Sequence, residues 1–104
     1  MEDEKLLAIL RKLLQASKKF NVDWNTGKST EVFKSVLGNS TVFIANIRDA
    51  YYLLINNEAG NEIGKLSGYA YEHELRELYE LAKRKALKID QTLNELDNLL
   101  DGLK

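Results

Sequence analysis

The segment Thr26-Gly27-Lys28-Ser29-Thr30 ends like a phosphate-binding loop, in which backbone amides and a lysine surround phosphate groups. Such a loop needs a second glycine five residues before Gly27, but Val22 occupies that position. A phosphate-binding loop also follows a strand, whereas the pattern before this segment is that of an amphipathic helix. We therefore interpret the segment as a loop in which Ser29 caps a following helix.

His73 is the only histidine, and with its neighbours Glu72 and Glu74 it could act in acid–base chemistry or bind a metal. A catalytic histidine needs a second polar group that orients it, and a metal site needs three or four ligands. The sequence places neither set together. Ser67-Gly68 lacks the Gly-x-Ser-x-Gly pattern of a hydrolase nucleophile, and the chain has no cysteine. We predict no catalytic residues, no cofactor and no metal.

The aromatic residues offer a surface for a partner or a ligand, because tyrosine joins a large apolar ring to a polar hydroxyl group. We expect most of these rings to pack in the core or across strands. The candidates for a partner or ligand surface are Trp24, Tyr51, Tyr52, Tyr69 and Tyr71.

Composition limits the remaining classes of protein. The 104 residues are 44% hydrophobic and 30% charged, which predicts one domain, residues 1–104, with a single core. No apolar run approaches the roughly 20 residues that cross a bilayer, so we expect no membrane association. The acidic start, Met1 to Lys5, is unlike a secretory signal and favours a cytoplasmic location.

The charge balance argues against bulk nucleic-acid binding, because 15 basic residues face 16 acidic ones and the net charge is −1. Two basic clusters, Lys18-Lys19 and Lys83-Arg84-Lys85, leave nucleic acid as a weakly supported partner.

Hydrophobic spacing divides residues 1–71 into helices and strands. The spacing predicts an amphipathic helix over Asp3–Lys19 and a short helix over Val32–Leu37, which Gly38 and Asn39 end. Thr41–Ile47 and Tyr51–Ile55 are rich in β-branched and aromatic residues and predict a hairpin. Ile63–Tyr71 is a candidate third strand, although its two glycines weaken the pattern.

Residues 72–103 carry an apolar seam in which the spacing alternates between three and four, as in a coiled coil. The seam consists of Leu75, Tyr79, Ala82, Ala86, Ile89, Leu93, Leu96, Leu100 and Leu103. A single helix of this length would exceed the domain that it packs on, so we expect the seam to form a homodimer interface. Alternatively, the helix breaks at Asp90 and folds back as an intramolecular hairpin.

The order of the predicted elements resembles small sensory and scaffold domains of the GAF and roadblock types. Val36–Tyr71 (VLGNSTVFIAN…LSGY) resembles the amino-terminal part of a GAF-type nutrient sensor in Gram-positive repressors. The resemblance consists of hydrophobic patterning over roughly a third of the chain and implies a small-ligand sensor. No ligand-contacting motif matches, so no site residue follows from it.

Together these patterns predict an α+β fold: a small antiparallel sheet of two or three strands, packed by N-terminal helices, with one long coiled-coil-like helix at the C-terminus. The predicted function is a non-enzymatic, homodimeric interaction or regulatory module that binds another protein through its sheet edge or aromatic surface. The alternatives are a small-ligand sensor of the GAF or PAS type, in which the aromatic rings line a pocket, and a nucleic-acid-associated regulator.

Overall fold

The structure is a computed structural model that describes residues 2–29 and 31–103. The fold combines helices with an antiparallel sheet, so the predicted α+β class is confirmed. The elements are α1 (Glu2–Lys18), β1 (Asn25–Thr26), β2 (Val32–Leu37), β3 (Ser40–Ile47), β4 (Ala50–Asn56), β5 (Glu62–Ser67), a short 3-10 helix (Tyr69–Tyr71), α2 (Glu72–Ala86) and α3 (Ile89–Gly102).

The sheet has five antiparallel strands, and each strand lies beside its neighbour in the chain. The prediction of two or three strands is therefore wrong. The main error is at Val32–Leu37, which forms β2 and not a helix. Phe33 and Ser35 are buried while Lys34 and Val36 are exposed, so side chains alternate between the two faces as strand geometry requires.

Tight turns connect the strands. Gly38 and Asn39, expected to end a helix, instead form the two-residue turn between β2 and β3, with Gly38 at a φ of 62°. The predicted hairpin turn between β3 and β4 is confirmed, and both Arg48 and Asp49 adopt positive φ, as a type I′ turn requires. The candidate third strand exists as β5 and ends at Ser67.

One face of the sheet, here called the inner face, holds the core. Its central row is formed by Phe33, Ile44, Leu53 and Leu66, which are register partners across β2 to β5 and are all buried. The buried side of α2 packs on this row through Leu75, Leu78, Tyr79 and Ala82. The rings of Phe33 and Tyr79 lie 5.4 Å apart, centroid to centroid.

Helix α1 lies on the same inner face, beside α2. A Cβ atom at Gly64 would come within 2.8 Å of the Leu6 side chain, so the absence of a side chain lets α1 approach β5 closely. Two ion pairs join the helices: Arg11 with Glu74 at 3.2 Å and Lys18 with Glu77 at 2.7 Å. Both helices that pack on the sheet therefore cover the same side of it.

The C-terminal third forms two helices, so the prediction of one long helix is wrong. The chain leaves helical geometry at Lys88, which has left-handed φ and ψ angles of 53° and 42°. The alternative prediction, a break at Asp90, is therefore correct to within a few residues, because α2 ends at Ala86 and α3 begins at Ile89. The predicted folding back as an intramolecular hairpin is wrong, because every residue of α3 after Ile89 is exposed. The radius of gyration is 15.5 Å, against about 13 Å for a compact chain of this length, because α3 projects from the body.

Replacement of Lys88 by glycine should stabilise the protein by about 0.5–1 kcal/mol, because glycine adopts left-handed angles without steric cost. In a continuous helix the same change would instead destabilise by about 1 kcal/mol. The sign of the change in the free energy of unfolding, measured in urea, therefore distinguishes the two structures. Glu80→Gly, on the exposed side of α2, is the control and should destabilise by about 1 kcal/mol.

Candidate functional site

The apolar seam of residues 75–103 is divided between two surfaces. Leu75, Tyr79 and Ala82, which were predicted to contact a second chain, are 0%, 4% and 0% exposed against the sheet of their own chain. These side chains could contact a partner only if α2 separated from the sheet, so they are not accessible to a second chain. Ala86 and Ile89 are half-buried where α2 meets α3.

The remainder of the seam is exposed on α3. The leucine face of α3 consists of Leu93, Leu96, Leu99, Leu100 and Leu103, whose exposures are 56%, 48%, 66%, 59% and 81%. Their spacing places them on one side of the helix. Four acidic residues and no basic one lie between Ile89 and Leu103. This helix is therefore amphipathic and acidic, with its apolar side uncovered.

The second uncovered apolar surface is the outer face of the sheet, opposite α1 and α2. Its central row is formed by Lys34, Phe43, Leu54 and Lys65, which are register partners across β2 to β5. The next row is formed by Val32, Ala45, Tyr52 and Ser67, of which Ala45 is buried. Exposed Val36 and Ile47 extend the apolar area along β2 and β3.

Three of the predicted aromatic residues line one cleft of about 360 Å³ at the end of β4. Tyr51, Tyr52 and Tyr69 share this cleft with Glu72. The Tyr69 side chain is 94% exposed, and the Lys65 ammonium lies 4.9 Å from the centre of the Tyr52 ring. Tyr71 packs, half-buried, against the core.

Tyr51 also connects the cleft to the core, because its ring packs edge-on against Tyr79 with centroids 5.4 Å apart. Burial raises the pKa of Tyr79, and the nearby charges of Glu31 and Glu80 raise it further. Tyr79 is therefore a neutral core residue over the physiological pH range.

Trp24 lies elsewhere, buried at 2% exposure, so the predicted aromatic set does not form one surface. The indole N–H of Trp24 donates a hydrogen bond of 3.0 Å to the hydroxyl oxygen of buried Ser17. Trp24 also lines a cleft of about 450 Å³, together with exposed Phe20 and with Lys85 and Lys88 at the junction of α2 and α3. The two clefts have no lining residue in common.

The segments that resembled catalytic or phosphate sites are parts of turns and surfaces. The hydroxyl oxygen of Ser29 accepts a hydrogen bond of 3.3 Å from the backbone N–H of Glu31, in the turn that enters β2 rather than at a helix start. Thr30, at the end of that motif, lies outside the described residues. His73 is exposed at the start of α2. Within residues 2–29 and 31–103, no three His, Asp or Glu side chains lie together as a metal site would require.

The basic clusters are partly paired with acids. Lys18 pairs with Glu77, and Arg84 pairs with Asp90 across the junction of α2 and α3. Over the described part of the chain, no helix has both the length and the apolar character needed to cross a membrane.

Comparison of the chain with protein-family models, with curated proteins and with solved structures finds no match. The resemblance to GAF-type sensors therefore receives no support from these comparisons.

The sequence patterns do not predict the outer face of the sheet, because the segment that forms β2 also fits a helical pattern. The signal that would have revealed it is the dipeptide Gly38-Asn39 between two apolar runs, a favoured two-residue hairpin turn. With β2 as a strand, Lys34 and Phe43 become cross-strand neighbours. A face with an apolar centre between two lysines then follows from the alternation of side chains.

We expect Ser17→Ala to destabilise the protein by about 1–3 kcal/mol, because the buried indole N–H of Trp24 would lose its acceptor. Trp24 is the only tryptophan, so its fluorescence during urea unfolding reports the change directly. Ser17→Thr, which keeps a hydroxyl oxygen, is the control and should recover part of the loss. Equal stability of Ser17→Ala and the parent would show that the hydrogen bond is not formed.

Proposed function

We propose that the protein is a non-enzymatic interaction module with a regulatory role, and that it forms a homodimer through the leucine face of α3. The observation that carries the proposal is the exposure of five leucines, between 48% and 81%, on one side of a projecting helix. Scattered exposed leucines are ordinary in proteins, but a contiguous apolar stripe on an amphipathic helix is typical of a docking surface.

The length of α3 also supports a partner. Isolated helices of about 12–15 residues are only marginally stable in water, and α3 has 14. In proteins, most helical stability comes from tertiary packing of the apolar side. A second chain that covers the leucine face would supply that packing.

Substitution of Leu93 by Glu, or of Leu96 by Asp, should abolish self-association, because each change places a charge in the apolar contact. Light scattering after gel filtration should then give a mass of 11.9 kDa, against about twice that value for the parent. Both leucines are exposed within the single chain, so the core should stay folded by circular dichroism.

Asn98→Asp is the matched control, because it adds the same charge to α3 on the side opposite the leucine face. This control should keep the parent's mass. A parent that has the mass of one chain at every concentration would exclude the proposed dimer.

A second candidate function is the binding of a small ligand in the tyrosine cleft. The specific observation in its favour is that Tyr51, Tyr52 and Tyr69 line one recess of about 360 Å³, within the usual range for ligand pockets. Ring faces, tyrosine hydroxyls and the Glu72 carboxylate would suit a ligand with an apolar body and a polar or cationic group.

A ligand of this kind should raise the melting temperature of the parent protein in a screen of small metabolites. Tyr69→Ala is the diagnostic variant, because Tyr69 is 94% exposed and its loss should leave the unliganded protein as stable as before. A shift that disappears in this variant would place the ligand in the tyrosine cleft. A shift that survives would assign the ligand to another site, such as the cleft beside Trp24.

A further inference from the structure

The outer face of the sheet has a size that suits one helix. Neighbouring strands lie about 4.8 Å apart, so the row from Lys34 on β2 to Lys65 on β5 spans about 14 Å. Helix α3 has 14 residues and is about 21 Å long, so it can cross all four strands of the row. Phe43 and Leu54 form the apolar centre of this row and are only partly buried in the single chain.

The charges of the two surfaces are complementary. Lys34 and Lys65 are exposed and stand at the two ends of the central row. Glu62, the register partner of Asn56, lies at the beginning of β5 and outside this row. Helix α3 carries four acidic residues and no basic one between Ile89 and Leu103. One of them, Asp90, pairs with Arg84 of its own chain, whereas Glu95 and Asp97 flank the leucine face. An acidic helix with an apolar side therefore matches an apolar face that is flanked by lysines.

We propose that the outer face of the sheet is the receptor for the leucine face of α3 from a second copy of the chain, a contact made twice in a symmetric dimer. This inference rests on the proposed homodimer and names the surface that completes it. Leu96, in the middle of α3, lies over Phe43 and Leu54. The acidic residues beside the leucine face approach Lys34 and Lys65.

The arrangement covers more apolar surface than the pairing of two α3 helices with each other. Fourteen residues provide two heptads, whereas coiled-coil seams are usually sustained over three or four. Paired α3 helices would also leave Phe43 and Leu54 in water. The exchange of helices covers both uncovered surfaces of each chain, and a closed two-fold contact leaves neither surface free to bind further copies.

Crosslinking between single cysteines tests the contact, because the chain has no cysteine of its own. A Leu96→Cys chain and a Phe43→Cys chain, mixed and treated with a short bis-maleimide, should give a covalent heterodimer. Lys34→Cys is a second sheet variant, since its side chain is exposed and its loss removes no core packing. Asn98→Cys, on the opposite side of α3, is the matched control and should react much less with either sheet variant.

The possible results test the receptor surface separately from the homodimer. A parent that has the mass of one chain by light scattering overturns both proposals. A dimer in which Leu96→Cys crosslinks to itself but to neither sheet variant contradicts the receptor surface and assigns the dimer to paired α3 helices. A dimer in which neither reaction occurs also overturns the receptor surface.

Reversal of charge gives a readout without crosslinking. The double change Lys34→Glu and Lys65→Glu should weaken the dimer about tenfold or more, because like charges would then meet. Addition of Glu95→Lys and Asp97→Lys to the same chain should restore association. Unchanged association of the Lys34→Glu, Lys65→Glu chain would contradict the electrostatic part of the proposal.

Discussion

The packing of α2 on the inner face of the sheet is the interaction on which the rest of the structure depends. Four residues of α2 are buried there, and Tyr79 stands between Phe33 on β2 and Tyr51 on β4. This contact joins the C-terminal third of the chain to strands that lie up to 46 residues earlier in the sequence. It also decides which side of each strand is buried, because the side-chain period of two leaves the alternate residues on the other face.

The helices that pack on the sheet cover only its inner face. Helices α1 and α2 both pack on the inner side, and the residues of α3 after Ile89 are exposed. Two apolar surfaces are left uncovered as a consequence, one on the sheet and one on α3. In the dimer that we propose, a second copy would cover both of these surfaces.

The sequence was most informative where one periodicity dominated. Helix α1 and the hairpin of β3 and β4 were predicted close to their observed bounds, because their apolar spacing is regular and their turn residues are clear. The prediction of a helix over Val32–Leu37 is wrong because its apolar residues also fit a helical stripe. These residues are Val32, Phe33, Val36 and Leu37. Ser35 is buried and is the register partner of Val42 on the next strand, which resolves the ambiguity. That pairing depends on the turn at Gly38-Asn39 and is not contained in the apolar spacing of Val32–Leu37.

The break at Lys88 shows a second limit of periodicity. The three-and-four spacing continues across it without change, although Tyr79 is buried against the sheet of its own chain and Leu96 is 48% exposed. An apolar stripe specifies that a helix has a side to cover and does not specify what covers it. The left-handed angles of Lys88 redirect α3, and neither glycine nor proline marks the position in the sequence. The stripe builds the core on α2 and is exposed on α3, and the change in backbone direction between the two helices separates these environments.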